Sequence, residues 1–222
     1  MQKFIRPLTI GLAVASAALA SQAQTTLVLD FENPALVDLY FAGDGFSHKG
    51  FDFLVQYDSA LVTTFDAADP TSPTGNATQY YQQLNEGWIS LQKSDGTAFD
   101  LLGFSAAFVP LAPASGQATA IVADGLDVYG NYQGVAYTFA GTSGGRYQFG
   151  SYNTAGFGLT NMAWVEFYTC PIVSNSLSCA TALKNNGQFA LDDIAVTVPE
   201  PETAAMLAIG LLALALRRRA RD

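Results

Sequence analysis

The chain has 222 residues, half of them hydrophobic, and a formal net charge of −9 at pH 7. Six of its ten basic residues sit at the ends (Lys3, Arg6, Arg217, Arg218, Arg219 and Arg221), so Gln24 to Val198 holds only Lys49, Lys93, Arg146 and Lys184 against sixteen acids. A region that acidic excludes recognition of nucleic acid through its phosphates, which takes clustered Lys and Arg, and makes cations the natural charged partners.

Lys3 and Arg6 precede an apolar run from Leu8 to Leu19, followed by Ser21-Gln22-Ala23. A basic flank, about a dozen apolar residues and small residues at alternate positions form the pattern of a secretory signal peptide, with cleavage expected after Ala23 or, second, after Ala20. Residues 1–23 are therefore read as a targeting segment and residues 24–197 as one ectodomain of ordinary size.

Within the ectodomain, Gly, Thr, Ser, Asn and Asp punctuate short alternating runs: "TLVLDF", "FDFLVQY", "WISLQ", "GVAYTFA", "RYQFG", "AWVEFYT" and "QFALDDIAVTV". These are rich in β-branched and aromatic residues, and no stretch shows clean helical periodicity. The pattern predicts an all-β domain, a β-sandwich of jelly-roll type. Asp69 to Thr78 and Leu111 to Thr119 read as exposed loops. In the opening strand Leu27, Leu29 and Phe31 share one face, with Val28, Asp30 and Glu32 on the other. In the closing strand, strict alternation carries either Asp192 or Asp193 into the core unless a β-bulge intervenes.

Signs of catalysis are sparse. His48 is the sole histidine, in a Gly-rich stretch read as a loop, which rules out a multi-histidine zinc site. No Gly-x-Ser-x-Gly elbow and no phosphate-binding glycine loop is present. Carboxylate pairs of the kind glycoside hydrolysis uses arise by chance among sixteen acids. Asn76-Ala77-Thr78 matches a glycosylation sequon. The aromatic residues say more. Tyr80, Tyr81, Trp88, Tyr129, Tyr132, Tyr147, Tyr152 and Trp164 stand out; most of the set reads as packing, and among them Tyr80, Tyr81, Tyr129 and Tyr132, beside Gly and Asn, are the better candidates for stacking on sugar rings. Cys170 and Cys179, the only cysteines, are expected to form a disulfide in an exported chain.

The chain closes with Val198-Pro199-Glu200-Pro201, an apolar segment over about 203–216 and a basic tail at 217–221. The thirteen uncharged residues from Ala204 to Leu216 give roughly 20 Å of helix, short of the roughly 30 Å hydrocarbon core, a deficit that snorkelling arginines partly cover. Arg217, Arg218, Arg219 and Arg221 belong on the cytoplasmic side, which puts the ectodomain outside. The two prolines stop any helix from running through the junction and leave it extended and accessible.

Proline-glutamate-proline, short apolar helix and terminal arginines, in that order over about 25 residues, resemble the PEP-CTERM sorting signal of Gram-negative bacteria. The same tail is also known as the ice-binding-protein C-terminal domain, a name that is no evidence of ice binding. The resemblance implies an exosortase as partner, tethering to the inner membrane before processing, and delivery to the cell envelope or extracellular matrix. Separately, the Phe-Glu ending of the first strand and the Leu-Asp-Asp-Ile of the last resemble the galactose-binding-like jelly roll. That superfamily includes many carbohydrate-binding modules and the MAM domain. It implies adjacent N- and C-terminal strands and a structural Ca²⁺ held by Glu32 and Asp193, with Asp30 or Asp192 in support. The functional expectation is a non-catalytic interaction module that binds exopolysaccharide. A structural matrix component and a polysaccharide hydrolase are the alternatives.

Overall fold

The computed structural model describes residues 24–33, 35–36, 39–85, 87–110, 119–173, 176–177, 179, 188–199, 210 and 218. The expected signal peptide, the loop at 111–118, the apolar segment and most of the sorting signal lie outside the described residues. Among the described residues no helix is long and apolar enough to cross a membrane. The segments Met1–Thr25 and Val198–Asp222 form one unit and Thr26–Thr197 another. In the first, Gly210 and Arg218 are helical and exposed. The second is the ectodomain, and it is all β.

The first sheet comprises β1 (Gln24–Leu29), β2 (Leu39–Phe41), β5 (Ser59–Thr63), β6 (Tyr80–Gln83), β8 (Asp100–Phe108), β13 (Gly150–Asn153) and β16 (Phe189–Pro199). Its order is β13-β8-β16-β6-β5-β2, with β1 pairing β16 outside that path, so the first and last strands are neighbours as expected. The second sheet comprises β3 (Gly45–His48), β4 (Phe51–Gln56), β7 (Trp88–Lys93), β9 (Thr119–Asp127), β10 (Tyr132–Thr138), β14 (Met162–Val173) and β15 (Ser176–Leu177). Its order is β10-β9-β14-β7-β4-β3, with β15 on β14. A small ribbon pairs β11 (Thr142–Ser143) with β12 (Arg146–Tyr147). Each of the seven predicted runs contributes a strand.

Two-residue periodicity creates the core between the sheets. Phe51, Phe53 and Val55 of β4, Ile89 and Leu91 of β7, and Val165 and Phe167 of β14 are buried, while their alternating neighbours face outward. Rings interlock across the gap. Phe31 lies edge-on to Phe53 at 5.6 Å, and Phe104 edge-on to Phe167 at 5.1 Å, arrangements favoured by the ring quadrupoles. A second, smaller cluster of Tyr80, Ala107, Val109 and Ala190, joined by Phe149, covers the other face of the first sheet. That cover leaves β6, β8 and β16 buried on both faces.

Two local features matter for the sites. The β3–β4 hairpin turns on Lys49 and Gly50, both at positive φ (50° and 79°), the requirement of a two-residue type I′ turn. In β16 the register shifts between Asp192 and Ala195, and Asp193 sits at φ 48°. The bulge sends Asp193 to solvent and leaves both Asp192 and Ile194 buried. Cys170 and Cys179 form the expected disulfide, closing the loop that carries the β14–β15 pairing.

Candidate functional site

The outward face of the second sheet carries a groove of about 240 Å³, lined by Asp52, Leu54, Gln56, Ser90, Gln92, Trp164 and Glu166. Every one of these is an outward position of β4, β7 or β14. The pairing register extends their rows. One row runs Tyr132, Leu126, Trp164, Gln92, Asp52 across β10, β9, β14, β7 and β4. The next runs Gly134, Asp124, Glu166, Ser90, Leu54. A bulge between Met162 and Trp164 sets this arrangement: Met162 goes into the core while Trp164, Glu166 and Tyr168 share the outer face. Tyr132 meets Trp164 edge-on at 6.3 Å. At another edge of the face, exposed Tyr57 stacks flat on Trp88 at 5.7 Å.

The chemistry of the face is acidic and aromatic. Asp124 and Glu166 stand directly opposite each other on β9 and β14. Asp124 is 6 % exposed; its Oδ2 accepts the Tyr168 hydroxyl at 2.5 Å, and its Oδ1 has no partner. Burial raises the Asp124 carboxyl above its ordinary range, against the hydrogen bonds it accepts. Glu166 is raised by burial and by the neighbouring Asp124 charge. The Tyr132 hydroxyl is pushed up to about 12 by burial and then by Asp124, and Tyr168 rises for the same reasons. A β-carbon on Gly134 would come within 2.7 Å of the Asp124 β-carbon, so only glycine leaves the space beside that carboxylate open. Asp52 is different: it accepts the Ser47 and Ser94 hydroxyls, each at 2.6 Å, and those bonds lower its pKa. No lysine or arginine lines the groove.

The sequence-predicted sugar contacts divide. Tyr129 and Tyr132 are 77 % and 62 % exposed on the β9–β10 hairpin. The turn is held by Asp127, whose Oδ1 accepts the backbone N–H of Tyr129 and Asn131. Tyr80 and Tyr81 are corrected: both are fully buried, because β6 lies between β16 and β5 with both faces covered. Tyr80 bonds Ser72 at 3.2 Å, and Tyr81 donates to buried Gln83. Trp164 and Glu166, missed as site residues, were visible as the polar and aromatic half of "WVEFY".

The four acids expected around calcium are not gathered. Asp30 Oδ2 takes the Lys49 ammonium at 2.7 Å, with His48 Nε2 3.4 Å from Oδ1, and these partners outweigh burial and lower its pKa. Glu32 accepts the Gln79 backbone N–H at 2.6 Å. Asp192 accepts Asn76 Nδ2 at 2.6 Å, Thr78 Oγ1 at 3.2 Å and the Asp193 N–H at 2.8 Å. Asp193 faces solvent. Among the described residues no group of three or more His, Cys, Asp or Glu is arranged to hold a metal ion. A lysine already neutralises one of the four acids, and the donor set does not fit Ca²⁺, which takes six to eight oxygens. His48, read as a loop residue, is in β3 and buried against Asp30. The 69–78 loop is only partly exposed: Ser72 is buried, and the sequon residues Asn76 and Thr78 are bound to Asp192.

Residues 197–219 match the PEP-CTERM protein-sorting motif, which marks an exported protein of the cell envelope. The match begins in the last strand, at Thr197, and takes in the proline-glutamate-proline and three of the four terminal arginines. No curated protein is significantly similar to the chain in sequence. Among solved structures the chain is similar to the carbohydrate-binding module TmCBM61 in complex with β-1,4-galactotriose, at 10 % identity and a TM-score of 0.31, over 68 % of this chain and 90 % of that one. The all-β sandwich itself rests on the strands and registers described above.

Proposed function

We propose that the chain is an exosortase-processed envelope protein whose sandwich binds polysaccharide along the outer face of the second sheet. The observation that carries this reading is the groove beside Trp164, walled by Glu166, Gln92, Gln56 and Ser90 on paired strands. An indole face supplies apolar contact to a pyranose ring, and fixed carboxylates and amides accept and donate to its hydroxyls. Placing these groups on hydrogen-bonded strands removes most of the ordering cost of binding. Gln56 is already oriented by its bond to Ser90 Oγ at 2.8 Å.

Isothermal titration with exopolysaccharide from the producing bacterium tests the reading. Wild type binds, and Trp164→Ala loses about tenfold or more in affinity with little change in melting temperature. Equal binding by both proteins would remove the groove from the account. Processing is read separately, by mass spectrometry of the envelope fraction: the expected C-terminus lies near Pro199 to Pro201, and an intact Asp222 in cells with an active exosortase contradicts it. One observation favours a second reading, hydrolysis: Glu166 lines the groove with Asp124 opposite it on β9, and burial raises both carboxyls. Release of reducing ends by wild type but not by Glu166→Gln would replace binding with catalysis.

A further inference from the structure

We infer that the face binds an extended segment of a linear, uncharged polysaccharide, laid from Trp164 to a second aromatic platform that Tyr57 forms on Trp88. This rests on the polysaccharide-binding reading and names the length and charge of the segment bound. The argument starts from a strained residue. Tyr57 and Asp58 carry the chain from β4 in the second sheet to β5 in the first, and both sit at positive φ (65° and 61°). Of the six non-glycine residues at positive φ among those described, Tyr57 is the only aromatic one. That region suits glycine and asparagine, and a bulky side chain held there points to a role beyond the turn. Neighbouring residues fix the strained conformation. The Tyr57 carbonyl accepts Gln83 Nε2 at 3.3 Å, and a β-carbon on Gly87 would lie 2.4 Å from the same oxygen. Glycine at 87 thus lets the turn close against the start of β7. The outcome is a ring parallel to Trp88 within 8°, with centroids 5.7 Å apart, on a residue that stays 64 % exposed. Burial does not account for a ring left this open, whereas a flat, supported ring in water is what a sugar face stacks on.

The strand register relates this platform to the groove. Trp88 is paired with Gln56 and is the next outward residue of β7 beyond Ser90, and both Gln56 and Ser90 line the groove. Trp164 stands at the other end, paired with Gln92. Gln92 and Trp88 are four residues apart on β7 and Trp164 is one strand across, which sets the two tryptophan Cα atoms about 14 Å apart. One pyranose ring cannot bridge that span; several units laid end to end can. Between the platforms Gln92, Ser90 and Gln56 offer amides and a hydroxyl to the sugar hydroxyls. The charge of the chain follows from the walls. Asp52 and Glu166 line the groove and no lysine or arginine does. The bonds from Ser47 and Ser94 keep Asp52 ionised, so a uronate would meet uncompensated like charge.

The test is calorimetric titration of the protein purified from the envelope fraction. The probes are the dimer, tetramer and hexamer cut from the producing bacterium's exopolysaccharide, and a galacturonate hexamer. Wild type should bind the tetramer and hexamer about tenfold more tightly than the dimer, and should not bind the galacturonate. Trp164→Ala should weaken every native oligomer. Tyr57→Gly should weaken the tetramer and hexamer about five- to tenfold, leave the dimer within about twofold, and leave the melting temperature unchanged or higher, because glycine relieves the positive φ. Tyr57→Phe keeps the ring and should bind like wild type. A dimer bound as tightly as the hexamer, or a Tyr57→Gly variant that binds all three like wild type, would overturn the second platform and leave the groove standing. Equal weakening of the dimer by Tyr57→Gly would also overturn it, by making Tyr57 part of one compact site. Galacturonate bound as tightly as the native hexamer would overturn the charge selection. Failure of every native oligomer and of the whole exopolysaccharide would remove the binding function itself.

Discussion

Two buried aspartates, one in each sheet, make an instructive comparison. Asp192 of β16 is wholly inaccessible, yet both its oxygens are engaged, by Asn76, Thr78 and the Asp193 backbone. Asp124 of β9 is almost as buried, and one oxygen has nothing. Each carboxyl is raised by burial, Asp192 to about 6 despite its hydrogen bonds. The satisfied aspartate is architectural: through Asn76 and Thr78 it pins the 69–78 loop to the last strand. The unsatisfied one stands on the exposed face of the other sheet, beside a groove. Among the described residues only Asp124 and Gln188 hold buried side-chain polar atoms without a partner, and each such atom costs stability.

The sharpest way to break the architectural half is Asp192→Ala, which strands the Asn76 amide and the Asp193 backbone N–H without their acceptor and should cost about 3 kcal/mol by chemical denaturation. A loss below about 1 kcal/mol would mean the loop holds without this anchor. Reduction of Cys170–Cys179 comes next, at about 2.5–3 kcal/mol in the chain-entropy model, because it reopens a short loop in the unfolded state. A melting temperature unchanged by reductant would contradict that contribution.

The pH dependence separates the two aspartates further. A carboxyl raised in the folded state binds its proton there first, so its stabilising contribution is present at low pH and is lost as pH rises through the folded pKa. For Asp192 the window runs from the ordinary 3.8 to about 6, and the difference between wild type and Asp192→Asn should change by up to about 3 kcal/mol across it. A difference that does not vary with pH would place the Asp192 pKa in the ordinary range. The smallest expected effect is Asp124→Asn, which relieves repulsion with Glu166 and should alter stability by under about 1 kcal/mol. A large loss would make Asp124 architectural like Asp192.

The strands that read clearly from sequence are those with one face in water. β4, β7 and β14 alternate large apolar with polar residues because one side packs on Phe31 or Phe104 and the other meets solvent. β8 ("DLLGFSAAF") and β9 ("TAIVADGLD") were not predicted, although each is nine residues long. Their alanines and glycines are demanded by close packing: a β-carbon on Gly125 would lie 2.1 Å from the Trp164 carbonyl oxygen. Small residues suppress the alternation that marks a strand. The same blindness misplaced Tyr80 and Tyr81, whose polar neighbours suggest a loop while a second layer of packing covers them. Glu166 could be seen to face outward with Trp164, but its pairing with Asp124, some forty residues away, exists only through the register of β9 on β14.

Trp88 and Trp164 are the only tryptophans, and both lie on the outward side of the second sheet. Their indole N–H resonances therefore report on that face directly. In a titration of ¹⁵N-labelled ectodomain with exopolysaccharide oligomers, the account predicts a saturable shift of the Trp164 indole larger than that of Trp88. Binding heat that saturates while the Trp164 indole stays unmoved would contradict it.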